Sequence, residues 1–108
     1  MVDAAAIEMI RAEIENNLSE RVYLRDLARK AGMNVHKLTT LFRCFVGYTI
    51  TDYHIRMRMI EAVNLLIDTD FSITQIAYEV GYSNVRSFGK EFKKHCWFTA
   101  TEYREVFG

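Results

Sequence analysis

The chain has 108 residues, half of them apolar, and its 14 basic and 14 acidic side chains give a formal net charge of zero. That length suits one compact domain, here residues 1–108, and proline is absent while the five glycines are scattered, which excludes a flexible linker or low-complexity tract. No apolar run approaches the roughly 20 residues of a membrane span. The start MVDAAAIEMIRAEIE is acidic where a secretory leader would be basic and then apolar. A cytoplasmic chain without membrane contact is therefore expected.

Cys44 and Cys96 lie far apart, without CxxC spacing or a clustered histidine, so no metal, redox group or other cofactor is expected and both read as buried thiols. Charge is unevenly distributed. Arg25, Arg29, Lys30, Lys37 and Arg43 face Asp26 alone between residues 25 and 45, and Arg86, Lys90, Lys93 and Lys94 face Glu91 alone between residues 86 and 94. Such runs are either an electrostatic footprint for nucleic acid or simply solvated helix faces.

Taken in chain order, the segments are helical by period, and no stretch sustains the apolar/polar alternation of a strand. Ile7, Ile10, Ile14 and Leu18 define a first amphipathic helix. Next comes LRDLARKAGM at residues 24–33, which is echoed by ITQIAYEVGY at residues 73–82. In the first copy Leu24, Leu27 and Ala31 form the covered face, as Ile73, Ile76 and Val80 do in the second. Ala28 and Ala77 are small where another helix crosses, and Gly32 and Gly81 permit a left-handed turn. The repeated spacing is that of a helix-turn-helix unit.

Each turn leads into a second helix. The first presents Leu38, Leu41, Phe42 and Phe45 inward; the second presents Phe88 and Phe92. Gly32 and Phe42 are ten positions apart and Gly81 and Phe92 eleven, so the second turn is expected to be one residue longer. Between the units, residues 49 to about 67 read as one helix with Ile50, Tyr53, Met57, Ile60, Val63 and Leu66 as its buried stripe. At 1.5 Å per residue that helix is somewhat under 30 Å long, near the ~34 Å between successive major grooves on one face of B-DNA. Thr49 with Asp52, Ser72 with Gln75, and Thr99 with Glu102 place side-chain acceptors over three helix starts. The expected fold is all-α, homeodomain-like, with about seven helices: a first helix-turn-helix unit at about 7–47, the long central helix at about 49–67, and a second unit at about 72–108.

These residues resemble the DNA-binding domain of the AraC family of bacterial transcription regulators, from about residue 7 to 104. The likeness is densest at Ile73, Ile76, Ala77, Val80, Gly81, Tyr82, Ser83, Phe88, Phe92, Lys93, Lys94, Thr99, Tyr103 and Arg104, with Tyr53, Arg58, Met59, Ala62, Leu65 and Leu66 matching the family's central helix. Three positions depart from the pattern. Cys96-Trp97-Phe98 replaces a glycine-containing stretch, Ala100 stands where proline is usual, and Gly89 stands where serine is common. Loss of a proline that pre-organises a first helical turn should weaken the last helix modestly. Gly89 either lets DNA approach closely or is merely tolerated.

The resemblance implies sequence-specific binding of double-stranded DNA by two recognition helices, at about 34–45 and 84–95, entering adjacent major grooves. On the first it points to His36, Thr39 and Thr40 as base-facing, with His36 open to the alternative of an ordinary surface histidine. Lys37 and Arg43 suit phosphates. On the second, the outward set is Asn84, Val85, Arg86, Gly89, Lys90 and Lys93. Val85, Arg86, Gly89 and Lys90 are the base-facing candidates, Arg86 foremost, because Arg or Lys reaches guanine O6 and N7. Lys93 and Lys94 suit phosphates, and Asn84 or Ser83 suits a cap.

Phe42, Phe45, Phe88, Phe92, Trp97 and Tyr103 are expected in the core rather than as stacking platforms, and His54 and His95 have no motif partners that would make them ligands or catalysts. No nucleophile elbow, phosphate loop or acid-base set is present, so no enzyme is expected. The competing function is a protein-interaction module on the same fold, suggested by the zero net charge and by two threonines in the first recognition helix. RNA polymerase and a sensor or dimerisation domain outside this chain are the further partners the resemblance brings with it.

Overall fold

The computed structural model describes residues 2–108. Over those residues it is all-helical, with seven helices: α1 (Val2–Asn16), α2 (Leu24–Ala31), α3 (Val35–Val46), α4 (Ile50–Asp68), α5 (Ile73–Glu79), α6 (Val85–Cys96) and α7 (Ala100–Phe107). No described helix is long and apolar enough to cross a membrane. The chain divides into two compact units, residues 1–54 and 55–108, so that α4 contributes its start to the first and the rest to the second.

In the first unit α1, α2 and α3 contact one another. Ile7, Ile10 and Ile14 of α1, Leu27 and Ala28 of α2, Leu38 and Phe42 of α3, and Ile50 and Tyr53 of α4 are buried. Tyr53 fastens the start of α4 to α1: its hydroxyl donates to Glu15 at 2.8 Å and accepts from Arg11 Nε at 3.0 Å. Its ring meets Phe42 edge-on at 5.6 Å. His54, next along, is buried and its Nε2 donates to the Leu18 carbonyl at 2.8 Å.

The second unit repeats this plan. Its core joins Met59, Ala62 and Leu66 of α4 to Ile76, Ala77, Val80, Phe88, Phe92 and Ala100. Tyr103 meets Phe92 edge-on at 5.8 Å, as Tyr53 meets Phe42. Arg104 takes the place of His54 and binds three carbonyls, one in the last turn of α4, Leu66 at 3.2 Å, and two just after it, Thr69 at 3.2 Å and Phe71 at 2.6 Å. Arg58 stacks over the Tyr82 ring at 5.3 Å, and its own burial lowers its pKa from the ordinary arginine value.

Both turns use glycine as expected. Gly32 sits at φ 69° and Gly81 at φ 105°. After each, the following amide reaches back into the helix, Met33 to the Ala28 carbonyl at 3.0 Å and Tyr82 to that of Ala77 at 2.9 Å, which satisfies end carbonyls that would otherwise be orphaned. The second turn is one residue longer: Asn34, the N-cap of α3, follows Gly32 by two positions, whereas Asn84, the N-cap of α6, follows Gly81 by three. From these caps onward the two units correspond at a register of 50. The three caps expected at Thr49, Ser72 and Thr99 are all formed. Thr99 and Glu102 close a full capping box despite Ala100 in place of proline.

Several burial expectations are corrected. Phe45 is 55% exposed and Leu41 only half-buried. Helical spacing places Phe45 on the side of Leu38, but does not say how far along α3 its neighbours extend. Trp97 is 86% exposed, because the helix has ended and a spacing argument no longer applies. Ile60 is exposed, with Met57 and Val63 half-buried, while Met59 and Ala62 are buried. One stripe along α4 presumed one core, and α4 serves two. Cys44 is exposed and Cys96 half-buried; burial raises the Cys96 thiol above its ordinary value.

Candidate nucleic-acid interface

The outer side of α3 is built by subtraction from its core side. Leu38 and Phe42 point into the first unit, leaving His36, Lys37, Thr40, Arg43 and Cys44 exposed and Thr39 half-buried. The helix begins at Asn34, whose side chain accepts from the Lys37 amide at 2.7 Å. A shallow open groove is lined by His36, Thr39, Thr40, Arg43, Cys44 and Thr49. It brings four of the five first-helix candidates together and adds two that sequence reasoning missed. Cys44 was assigned to the core, although its spacing of four from Thr40 and eight from His36 puts it on their side. Thr49 was read only as a cap; its oxygen accepts from the Asp52 amide at 3.1 Å and also borders the groove.

The fifth candidate, Lys37, is set apart. Its Nζ lies 3.6 Å from an Asp3 carboxylate oxygen, an exposed pair that water and salt screen. Thr39 donates its hydroxyl to the His36 carbonyl at 3.1 Å, so the free functionality it offers the groove is an acceptor and a methyl.

The corresponding side of α6 is more cationic. Phe88 and Phe92 face inward, and Val85, Arg86, Lys90, Lys93 and Lys94 are exposed. Asn84 is confirmed as the cap, accepting from the Ser87 amide at 2.8 Å, which leaves Ser83 outside that role. At the register of 50, His36 corresponds to Arg86, Thr39 to Gly89, Thr40 to Lys90, Arg43 to Lys93, Cys44 to Lys94 and Thr49 to Thr99. Four candidates on each helix thus coincide, His36, Thr39, Thr40 and Arg43 with Arg86, Gly89, Lys90 and Lys93, whereas Lys37 falls opposite Ser87, Val85 opposite Val35 and Lys94 opposite Cys44.

Lys93 leans toward the start of α7, with Nζ 4.0 Å from Glu102. The Glu102 carboxyl is held below the ordinary range by its bonds with Thr99, the amide first and the hydroxyl second, and more weakly by Lys93. Glu91, the acid within the basic run, is half-buried, with Oε2 3.2 Å from His95 Nε2, rather than opposing the outer cations. His54 is committed to the Leu18 carbonyl. Among the described residues no cluster of histidine, cysteine or acidic side chains is arranged to hold a metal.

The comparisons with known proteins agree with this fold. A family model described as a helix-turn-helix domain matches residues 27–105. The HTH-type transcriptional activator RhaR of Mannheimia succiniciproducens is 30% identical over 105 residues, covering 97% of this chain and 38% of its own length. The probable transcription factor PqrA of Proteus vulgaris is 30% identical over 99 residues, covering 92% of this chain and 80% of its own. Among solved structures, a transcriptional regulator with an AraC-type DNA-binding domain from Chromobacterium violaceum aligns with a TM-score of 0.87 at 26% identity, covering 94% of this chain and 91% of that one. The chain thus spans well under half of RhaR and most of PqrA.

Proposed function

The chain belongs to the AraC-type helix-turn-helix family of transcription regulators, not to an enzyme family, and we propose that it binds double-stranded DNA as a single domain with α3 and α6 in adjacent major grooves. The observation that carries this reading is the register of 50, which matches the outward positions His36, Thr39, Thr40 and Arg43 of α3 with Arg86, Gly89, Lys90 and Lys93 of α6. Base edges are met by His36, Thr39 and Thr40 from α3 and by Val85, Arg86, Gly89 and Lys90 from α6. Phosphates are held by Lys37, Arg43, Lys93 and Lys94.

The two halves are unequal. Short threonine side chains give little unique readout, whereas Arg86 and Lys90 reach guanine acceptors, so α6 is the stronger base reader. Lys37 and Lys93 exchange exposed carboxylate partners, Asp3 and Glu102, for phosphate, a trade that is cheap because such surface pairs contribute ~1 kcal/mol or less. A sensor or dimerisation domain beyond this segment and RNA polymerase as the downstream partner complete the proposal, the first consistent with the 38% of RhaR that the chain covers.

The test is titration of promoter-length duplex DNA at several salt concentrations. Four phosphate contacts predict a log–log slope of about −3 to −4. Absence of binding to any such duplex at low salt would overturn the reading in favour of a protein-interaction module.

A further inference from the structure

Trp97 is the non-glycine residue at positive φ among the described residues, at 69° in the turn that ends α6. Its equivalent in the first unit, 50 positions earlier, is Gly47 at φ 92°. Glycine adopts that backbone without penalty and an L-residue does not, so Trp97 carries strain that its counterpart avoids. Burial does not offset the strain, because the side chain is 86% exposed. An outlier kept without packing gain points to a role outside the fold.

Its place in the unit says where. In the first unit Thr49, two residues after Gly47, lines the same groove as His36, Thr39, Thr40 and Arg43. Thr99, two residues after Trp97, is its equivalent, and the 4.0 Å approach of Lys93 to Glu102 joins the cationic side of α6 to the first turn of α7. Trp97 therefore lies between the exposed cations Lys93 and Lys94 and the start of α7. Cations there attract the phosphates of a duplex, whose backbone alternates anionic groups with the apolar faces of deoxyribose. The indole offers an apolar plate with one N–H donor and no acceptor, which matches that alternation.

We infer that Trp97 is a DNA-backbone contact, its ring covering a deoxyribose beside the groove entered by α6 and its Nε1–H donating to a phosphate oxygen. The inference rests on the proposed reading of α6 and adds to it a contact that the usual glycine would not make.

Trp97 is the sole tryptophan, so its emission reports on this position alone. The chain is titrated with a dye-labelled random-sequence duplex of about 30 base pairs, long enough for two grooves one turn apart. Dye anisotropy follows binding and acrylamide quenching follows tryptophan exposure. The expected result is a quenching constant that falls at least about two-fold at saturation, as solvent is excluded from the ring. Saturation with unchanged quenching overturns the inference and leaves DNA binding standing; no saturation at low salt overturns both. The variant Trp97→Gly is expected to melt at a higher temperature yet bind the duplex several-fold more weakly. Unchanged affinity in that variant also overturns the inference.

Discussion

Gly89 lies in α6 between the inward residues Phe88 and Phe92, where a methyl group would meet nothing within 4 Å. Neither the backbone nor the packing of the fold requires glycine there. Gly89→Ala is therefore expected to stabilise the chain by about 1 kcal/mol in urea denaturation. The DNA affinity of the same variant separates the two readings of the glycine: a loss assigns it to close approach of the duplex, and no change assigns it to tolerance. The proposal gives Arg86 and Lys93 different roles. Arg86→Ala is expected to cost about 1–3 kcal/mol and relax preference at one base position, whereas Lys93→Ala weakens all sequences alike. Equal effects across sequences from both variants would refute the assignment. The outward positions were legible in the sequence because helix period alone separates them from Leu38, Phe42, Phe88 and Phe92. Cys44 was missed because cysteine is so often buried that residue type outweighed position.

Between elements, the two turns and the three caps were legible because each is decided within a few residues by a glycine or by an acceptor three positions before its amide. The fastening of α7 was not. Arg104 reaches back more than 30 positions to the carbonyls of Leu66, Thr69 and Phe71, a contact for which no local pattern exists. It occupies the position of His54, which secures Leu18 in the first unit, so each unit ties its last helix to the segment after its first. Arg104→Ala is expected to destabilise the chain by about 2–3 kcal/mol, since the three carbonyls lose a charged donor in a partly buried setting. Arg104→Lys should recover only part of that, because an ammonium lacks the guanidinium fork. A full recovery in urea midpoint would show that charge rather than geometry holds the joint. The burial pattern of α4 was misread for a related reason: its stripe was assigned to one core, and Met59 and Ala62 belong to a second that the sequence does not announce.

For the molecule as a whole, a formal charge of zero would argue against nucleic acid if charge were spread evenly. It is not: the outward side of α6 carries Arg86, Lys90, Lys93 and Lys94, while Glu91 turns to His95. The proposed reading would let one chain meet two grooves, a reach that single helix-turn-helix proteins obtain by dimerising. Selection of bound sequences from a random duplex pool, followed by contact mapping on the winners, tests that claim most directly. Two blocks of specified bases centred about one helical turn, ~10 base pairs, apart are predicted, with the stronger block lost in Arg86→Ala. A single block of specified bases, unaffected by substitutions at His36, Thr39 and Thr40, would contradict it.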